Sequence, residues 1–142
     1  IITDFNKPIN NTANIAFGKN IKAKSSLEAE IYALSIGLSY VLDTYQNVDN
    51  IIVHYDCINS TICATNIDAY IAQGTPYTNF KSALKRIKKR KLNIVFEHTK
   101  AHNTDPYNEK CDLLAKYYSR SKLQNAQMKQ IQKLIKPKKR GK

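Results

Sequence analysis

Tryptophan is absent from this sequence, and glycine and proline are scarce at four residues each. That scarcity excludes collagen-like chains and Gly/Pro-rich disordered ones. Long apolar runs are missing too: each breaks within a few residues, which excludes a membrane-spanning helix and speaks against a membrane partner. No apolar block follows a basic start, so no signal peptide is read. Cysteine is confined to Cys57, Cys63 and Cys111, an odd set with no short paired spacing. A disulfide framework is disfavoured, a reducing compartment fits, and the expected location is cytoplasmic. The same scatter argues against zinc, since His98 and His102 stand four apart across a strand end and a loop rather than on one helix. The first residue is Ile rather than Met, and the expectation is that the chain begins inside a longer polypeptide or belongs to a larger assembly.

What is present is enough for one ordinary domain: 142 residues, 42% hydrophobic and 24% charged, can bury a real core. The net charge of +12 is unevenly placed. Residues 25–80 hold no Lys or Arg and six acids, Glu28, Glu30, Asp43, Asp49, Asp56 and Asp68. Residues 81–91 hold seven Lys or Arg and no acid, and ten more basic residues follow Asp112 with no acid among them. Either basic run alone reads as solvated surface or a solubilising tail. Two on one small domain point to a polyanionic partner, most simply nucleic acid.

Periodicity sets out the elements. Ile1–Thr3 and Ile15–Phe17 are short β-prone pieces around a turn-like Lys7-Pro8-Ile9-Asn10-Asn11, which predicts a hairpin. Leu27, Ile31, Leu34, Leu38, Val41 and Tyr45 recur at three- and four-residue steps, predicting a helix over 26–45, and Ser25 with Glu28 has capping-box spacing. The β-branched run Ile51–Tyr55 predicts a buried central strand, with His54 a partly buried structural residue. A short helix is expected around Ser60–Asn66. A further helix is expected from a Thr78 cap, with Phe80, Ala83, Leu84 and Ile87 on its apolar face. Ile94–His98 reads as another strand, and Thr99–Thr104 as a loop. Asp105-Pro106 marks a helix start. Cys111, Leu114, Ala115 and Tyr118 are its expected buried face, with Cys63 and Cys111 packing as small apolar residues. Residues 120–135 extend that helix or form another, with a weak stripe of Leu123, Ile131, Leu134 and Ile135. The order implies an α/β fold, a mixed sheet flanked by helices. The expected organisation is a domain over 1–119 and a basic extension over 120–142.

Three acids stand at element boundaries: Glu30 opens a helix, Asp56 ends a strand, and Asp112 lies in the last helix. Such placement lets distant residues converge at one end of a sheet. Crowded carboxylates repel and need a cation, and oxygen-only ligands select Mg²⁺ or Mn²⁺. Two such ions about 4 Å apart activate a water and stabilise the leaving oxygen of a phosphodiester. Helix-start Glu and strand-end Asp are common, so spacing alone is a weak signal.

The local words are stronger. Leu27-Glu28-Ala29-Glu30-Ile31-Tyr32-Ala33-Leu34 resembles the Ala-Glu-x-x-Ala-Leu signature opening the first helix of ribonuclease H. Ile51–Asp56 looks like that family's central strand with its terminal Asp. Thr99-Lys100-Ala101-His102 followed by Tyr107-Asn108-Glu109-Lys110-Cys111-Asp112-Leu113-Leu114-Ala115 resembles the family's closing motif, in its bacterial and viroplasmin-linked form. The resemblance covers residues 1–118. It implies a ribonuclease H-like fold, a mixed sheet with helices on both faces, and hydrolysis of the RNA strand of RNA–DNA hybrids. It implies metal-binding roles for Glu30, Asp56 and Asp112, with Mg²⁺ or Mn²⁺ as cofactor. His102 would be the loop residue assisting proton transfer or product release, and Asn108 and Glu109 helix-start residues.

The family's first-strand Asp, in a Thr-Asp-Gly-Ser or Val-Asp-Gly-Ser word, has no counterpart here. One reading takes Ile1–Asp4 as the family's second strand, with the first strand and its Asp before Ile1; the other takes Asp4 as a displaced catalytic Asp in a shortened fold. On the first, little nuclease activity is expected of these 142 residues alone. Cys57 stands where the family often has Ser after the strand Asp. A different class of function fits the same residues: a non-catalytic ribonuclease H-like module that binds nucleic acid or scaffolds an assembly. Tyr77 and Tyr107 are candidates for base stacking, against the plainer reading of core or edge aromatics. The tail Lys136–Lys142 reads as disordered, a targeting patch or an RNA-binding arm.

Overall fold

The computed structural model describes residues 1–2, 15–98 and 106–135, with backbone alone at 106–108. The chain divides into two compact units, Lys22–Asn103 and the pair Ile1–Ile21 with Thr104–Lys142. The described residues form an α/β architecture with six α-helices and a two-stranded parallel sheet. In chain order these are α1 (Ser26–Thr44), β1 (Asn50–Tyr55), α2 (Asn59–Thr65), α3 (Ile67–Tyr70), a 3-10 turn (Ile71–Gln73), α4 (Thr75–Lys89), β2 (Asn93–His98), α5 (Pro106–Tyr118) and α6 (Asn125–Ile135). No helix among the described residues is long and apolar enough to cross a membrane.

In the unit Lys22–Asn103, α1 starts where the Ser25–Glu28 spacing places it. Extended Ser25 accepts the Glu28 backbone N–H at 3.1 Å, satisfying one of the free donors of the first turn. The Glu28 carboxylate reaches one residue further back than a capping box does and accepts from the backbone N–H of Lys24. Ile31, Leu38 and Leu42 are buried, with Leu27, Leu34 and Val41 half-buried beside them. Ser35 joins the buried stripe because its hydroxyl donates to the Tyr32 carbonyl at 2.9 Å.

Strand β1 runs parallel to β2, with Ile51 opposite Ile94 and Val53 opposite Phe96. The expectation of a strand buried on both faces is corrected: Ile51 and Val53 point into the core, whereas Ile52 is 39% exposed and its register partner Val95 is 41% exposed. Side chains alternate across a strand, and α1 and α4 supply core to one face of this one. His54 shares the outer face and is exposed rather than partly buried, its Nδ1 3.5 Å from the Glu97 carboxylate.

Helix α4 begins at Thr75, three residues before the Thr78 cap expected from the sequence. Pro76 fits the first turn, where its missing N–H costs nothing. Tyr77, Phe80, Ala83 and Ile87 form the buried face, and Leu84 lies at its edge. Helices α1 and α4 pack lengthwise and run in the same direction. Tyr77 at the start of α4 lies beside Ser25 and Glu28. At the other end Arg86 Nη2 sits 2.6 Å from Asp43, and Arg90 donates to the Leu42 and Tyr45 carbonyls, both at 2.9 Å. Cys63 of α2 is fully buried in the same core, and burial pushes its thiol up to about 11, so it acts as packing.

In the other unit, Ile2 and Ile15 form an antiparallel bridge with reciprocal backbone bonds of 2.8 and 2.9 Å. The two expected β pieces therefore meet, while Thr3 and the turn at Lys7–Asn11 lie outside the described residues. Helix α5 packs on α6, with Leu114 and Ile131 buried. Cys111 and Ala115 are exposed, correcting the buried face read for this helix; Leu114 is flanked instead by half-buried Leu113, Tyr117 and Tyr118. Arg120 adopts a left-handed φ of 63°, which ends the helical run, so the segment after it forms a separate helix. The Asp105 cap, the Tyr107 side chain and the tail Lys136–Lys142 lie outside the described residues.

Candidate carboxylate site

Glu30 stands in the second turn of α1, and Asp56 follows the last residue of β1. The chain reverses between the helix and the strand, so the start of α1 returns to the end of β1. That geometry brings Glu30 and Asp56 together at the carboxyl-terminal edge of the parallel sheet, where open α/β sheets bind their ligands. Glu30 is half-buried and Asp56 exposed. The Glu30 carboxyl is held above the usual carboxylate range, first by burial and second by the negative charge of Asp56. A half-buried carboxylate facing a second one is an electrostatic cost that a cation relieves.

The edge is built from below by β2. In register, Tyr55 faces His98. The His98 Nε2–H donates to the Asp56 carbonyl at 3.0 Å, and the Tyr55 ring lies 5.4 Å from the His98 ring. His98 therefore fixes the backbone that presents Asp56. In the sequence alone, His98 stands out only as an improbable zinc ligand with His102. The informative signal was the equal length of the two strands, which sets their last residues side by side.

Glu28, two residues before Glu30 and so on the other side of the helix, is 7% exposed and belongs to the scaffold rather than the edge. Its Oε1 lies where a Cβ on Gly74 would come within 2.9 Å. Among the described residues no group of three or more His, Cys, Asp or Glu side chains is gathered around a common point, so the site in the unit Lys22–Asn103 is described as a pair.

Asp112 lies in the other unit, exposed on α5, with Lys116 Nζ 3.1 Å from its Oδ2 one turn on. Glu109 is exposed in the first turn of the same helix. His102, Asp4 and the Asn108 side chain lie outside the described residues. Of the expected site residues, the structure thus brings Glu30 and Asp56 together and places Asp112 on its helix.

The basic residues of 81–91 lie on α4 and the turn that follows it. Lys81 pairs with Asp68, whose carboxyl the lysine holds below its ordinary range. Tyr77 is buried in the core and its phenol is pushed up by that burial, which removes it from the candidates for base stacking.

No protein-family model, curated protein or solved structure matches this chain.

Proposed function

We propose that this chain is a ribonuclease H-type endonuclease domain, metal-dependent, with the ribonuclease H-like mixed sheet, hydrolysing the RNA strand of RNA–DNA hybrids. The observation that carries the reading is the Glu30–Asp56 pair at the carboxyl edge of the parallel sheet, with Glu30 raised by burial and by Asp56. Both residues come from sequence words that resemble the family's. The donor chemistry fits a hard divalent ion: two carboxylates, with no nitrogen or sulfur ligand needed. Glu30 and Asp56 would hold Mg²⁺ or Mn²⁺, and a metal-binding role for Asp112 is what the resemblance of its closing motif implies. A bound ion of this kind supplies an activated water and stabilises a leaving phosphodiester oxygen.

The chain's own residues have separable tasks in this reading. Glu30 and Asp56 present negative charge at the sheet edge. His98 fixes the Asp56 backbone through its hydrogen bond. His102, known from its motif alone, moves a proton at the reacting phosphate or speeds product release. The net charge of +12 suits a polyanionic substrate.

The test is cleavage of a labelled RNA–DNA hybrid in Mg²⁺ or Mn²⁺, using this chain and a version extended upstream of Ile1. Each is compared with Glu30→Gln, Asp56→Asn and Asp112→Asn. Loss of a metal ligand is expected to lower the rate by about a hundredfold or more. Cleavage confined to the RNA strand and lost in all three variants supports the proposal. Inactivity of both chain lengths, with hybrid binding intact, favours the non-catalytic scaffold instead. Strong activity of the short chain that Asp4→Asn abolishes would make Asp4 the fourth carboxylate.

A further inference from the structure

Helix α4 carries no acid, and its last two turns are dense in positive charge. Most surface helices interleave both signs, since like charges one turn apart repel. Lys81 and Lys85, and Lys85 and Lys89, are such pairs. The favourable dipole at a helix C-terminus offsets part of this for Lys88 and Lys89. It does not reach Lys85.

The cations of this segment divide into two sets. Lys81 is paired with Asp68, Arg86 with Asp43, and Arg90 with the carbonyls of Leu42 and Tyr45. These three tie α4 to its neighbours. Lys85, Lys88, Lys89 and Lys91 are exposed. Among the described residues their side chains make no hydrogen bond or salt bridge, and Lys85 acts on Asp68 through charge alone. Of the other acids at this end, Asp43 is taken by Arg86, and Asp49 lies beside the strand starts, its carbonyl accepting from Asn93. Exposed Thr78 and Ser82 continue the line of Lys85 and Lys89 along the outer face, adding hydroxyl donors.

The set has a defined place. Lys91 turns through a left-handed φ of 56° into β2, so the cluster lies at the amino-terminal edge of the sheet. Glu30 and Asp56 occupy the carboxyl-terminal edge. A strand of this length separates the two ends by roughly 17–20 Å.

We propose that Lys85, Lys88, Lys89 and Lys91 form a phosphate-backbone anchor for nucleic acid, set at the opposite end of the sheet from the Glu30–Asp56 pair. The anchor is sequence-independent, because lysine ammonium groups on an open helix face meet phosphates as point charges and reach no base edge. A duplex held there extends beyond one end of the sheet, so binding and chemistry on this unit are served by different residues. The inference rests on charge placement and stands whether or not the carboxylate pair cleaves anything.

The experiment measures affinity for a fluorescent RNA–DNA hybrid in EDTA, where no metal-dependent cleavage intrudes, across a range of monovalent salt. It uses the full chain, Lys85→Gln/Lys88→Gln/Lys89→Gln, and a charge-matched control outside both basic runs at three exposed lysines, Lys19→Gln/Lys22→Gln/Lys24→Gln. Circular dichroism confirms that each keeps wild-type helix content. The α4 variant is expected to bind about tenfold or more weakly near 0.1 M salt, with the slope of log affinity against log salt reduced by about 2–3. The control is expected to lose much less. Equal losses in the two variants would reduce the effect to net charge and overturn the proposal, as would an unchanged affinity. Tighter binding to vesicles containing an anionic phospholipid than to the hybrid, lost in the α4 variant alone, would assign the face to a membrane surface and overturn it equally.

Discussion

Glu30 is the residue at which stability and the proposed chemistry pull in opposite directions. Its carboxyl is raised in the fold by burial and by Asp56, so ionising it costs the native state more than the unfolded chain. The native state then binds more protons than the unfolded one between the ordinary glutamate value and the raised one. Stability contributed by the protonated form is present below that window and declines as pH rises through it. Glu30→Gln removes the charge and keeps the shape. The expected outcome is a higher melting temperature than wild type at pH 7, with the difference vanishing toward pH 4. A melting temperature lowered at pH 7 would show that the Glu30 charge has a favourable partner. Mg²⁺ or Mn²⁺ should stabilise the wild type by about 1.4 kcal/mol at ten times Kd, read as a higher melting temperature, and leave Glu30→Gln/Asp56→Asn unmoved. The two acids stand out in the sequence through the words around them, Glu30 in the helix-opening word and Asp56 at the strand end, since placement at element ends alone is a weak signal. The task of His98 is not legible in the sequence, since it depends on strand register, which no single strand reveals. Cys111 misled for a related reason: its spacing matches Leu114 and Tyr118, yet which side of α5 is covered depends on where α6 packs.

Helix α4 shows how a turn residue decides where an element starts. Thr78 is a good cap by type, but Gly74 and Pro76 lie just upstream and allow Thr75 to Thr78, four more residues, to join the helix. Gly74 holds a φ of +155°, and a Cβ there would meet the Glu28 carboxylate at 2.9 Å. Glu28 is buried and committed to the Lys24 N–H, so it has little room to give. Gly74→Ala is therefore expected to destabilise the protein by about 1–3 kcal/mol, read from urea unfolding. Gly37, with open space around the same position, provides the control: Gly37→Ala on α1 should stabilise by about 0.5–1 kcal/mol through helix propensity. An equal loss at both positions would remove the steric argument. Helix α1 was legible almost to the residue, because a periodic stripe and a capping Ser agree. Strand β1 was legible as a strand but not as a one-sided one. A continuous apolar run fits burial on both faces, and only the tertiary placement of α1 and α4 shows that Ile51 and Val53 are covered while Ile52 is not.

Two units share the chain, and they differ in how they are assembled. Lys22–Asn103 is continuous in sequence and contains the whole buried cluster from Ile31 to Ile87. The other unit joins the two ends of the chain. This division was not legible in composition, where the visible boundary is the run of basic residues after Asp112. It follows from contacts, and contacts follow from which apolar faces meet. A two-stranded sheet is marginal in water, but β1 and β2 are backed by α1 and α4 over Ile51, Val53, Phe80 and Ile87. Arg86 and Arg90 close the far end of that layer onto Asp43 and the last carbonyls of α1. A segment with its own core, capped helix and terminal ties has what a domain needs to fold alone. Residues 22–103, expressed by themselves, are therefore expected to unfold cooperatively in urea, with near- and far-ultraviolet circular dichroism changing together. The Glu30→Gln rise in melting temperature at pH 7 should persist in this fragment, because both carboxylates of the pair lie within it. A fragment that keeps helical signal but loses its near-ultraviolet signal and its cooperative transition would show that the core between α1 and α4 depends on the rest of the chain. In that case the carboxylate edge is a product of the whole protein, and Glu30 would have to be studied in the full chain alone.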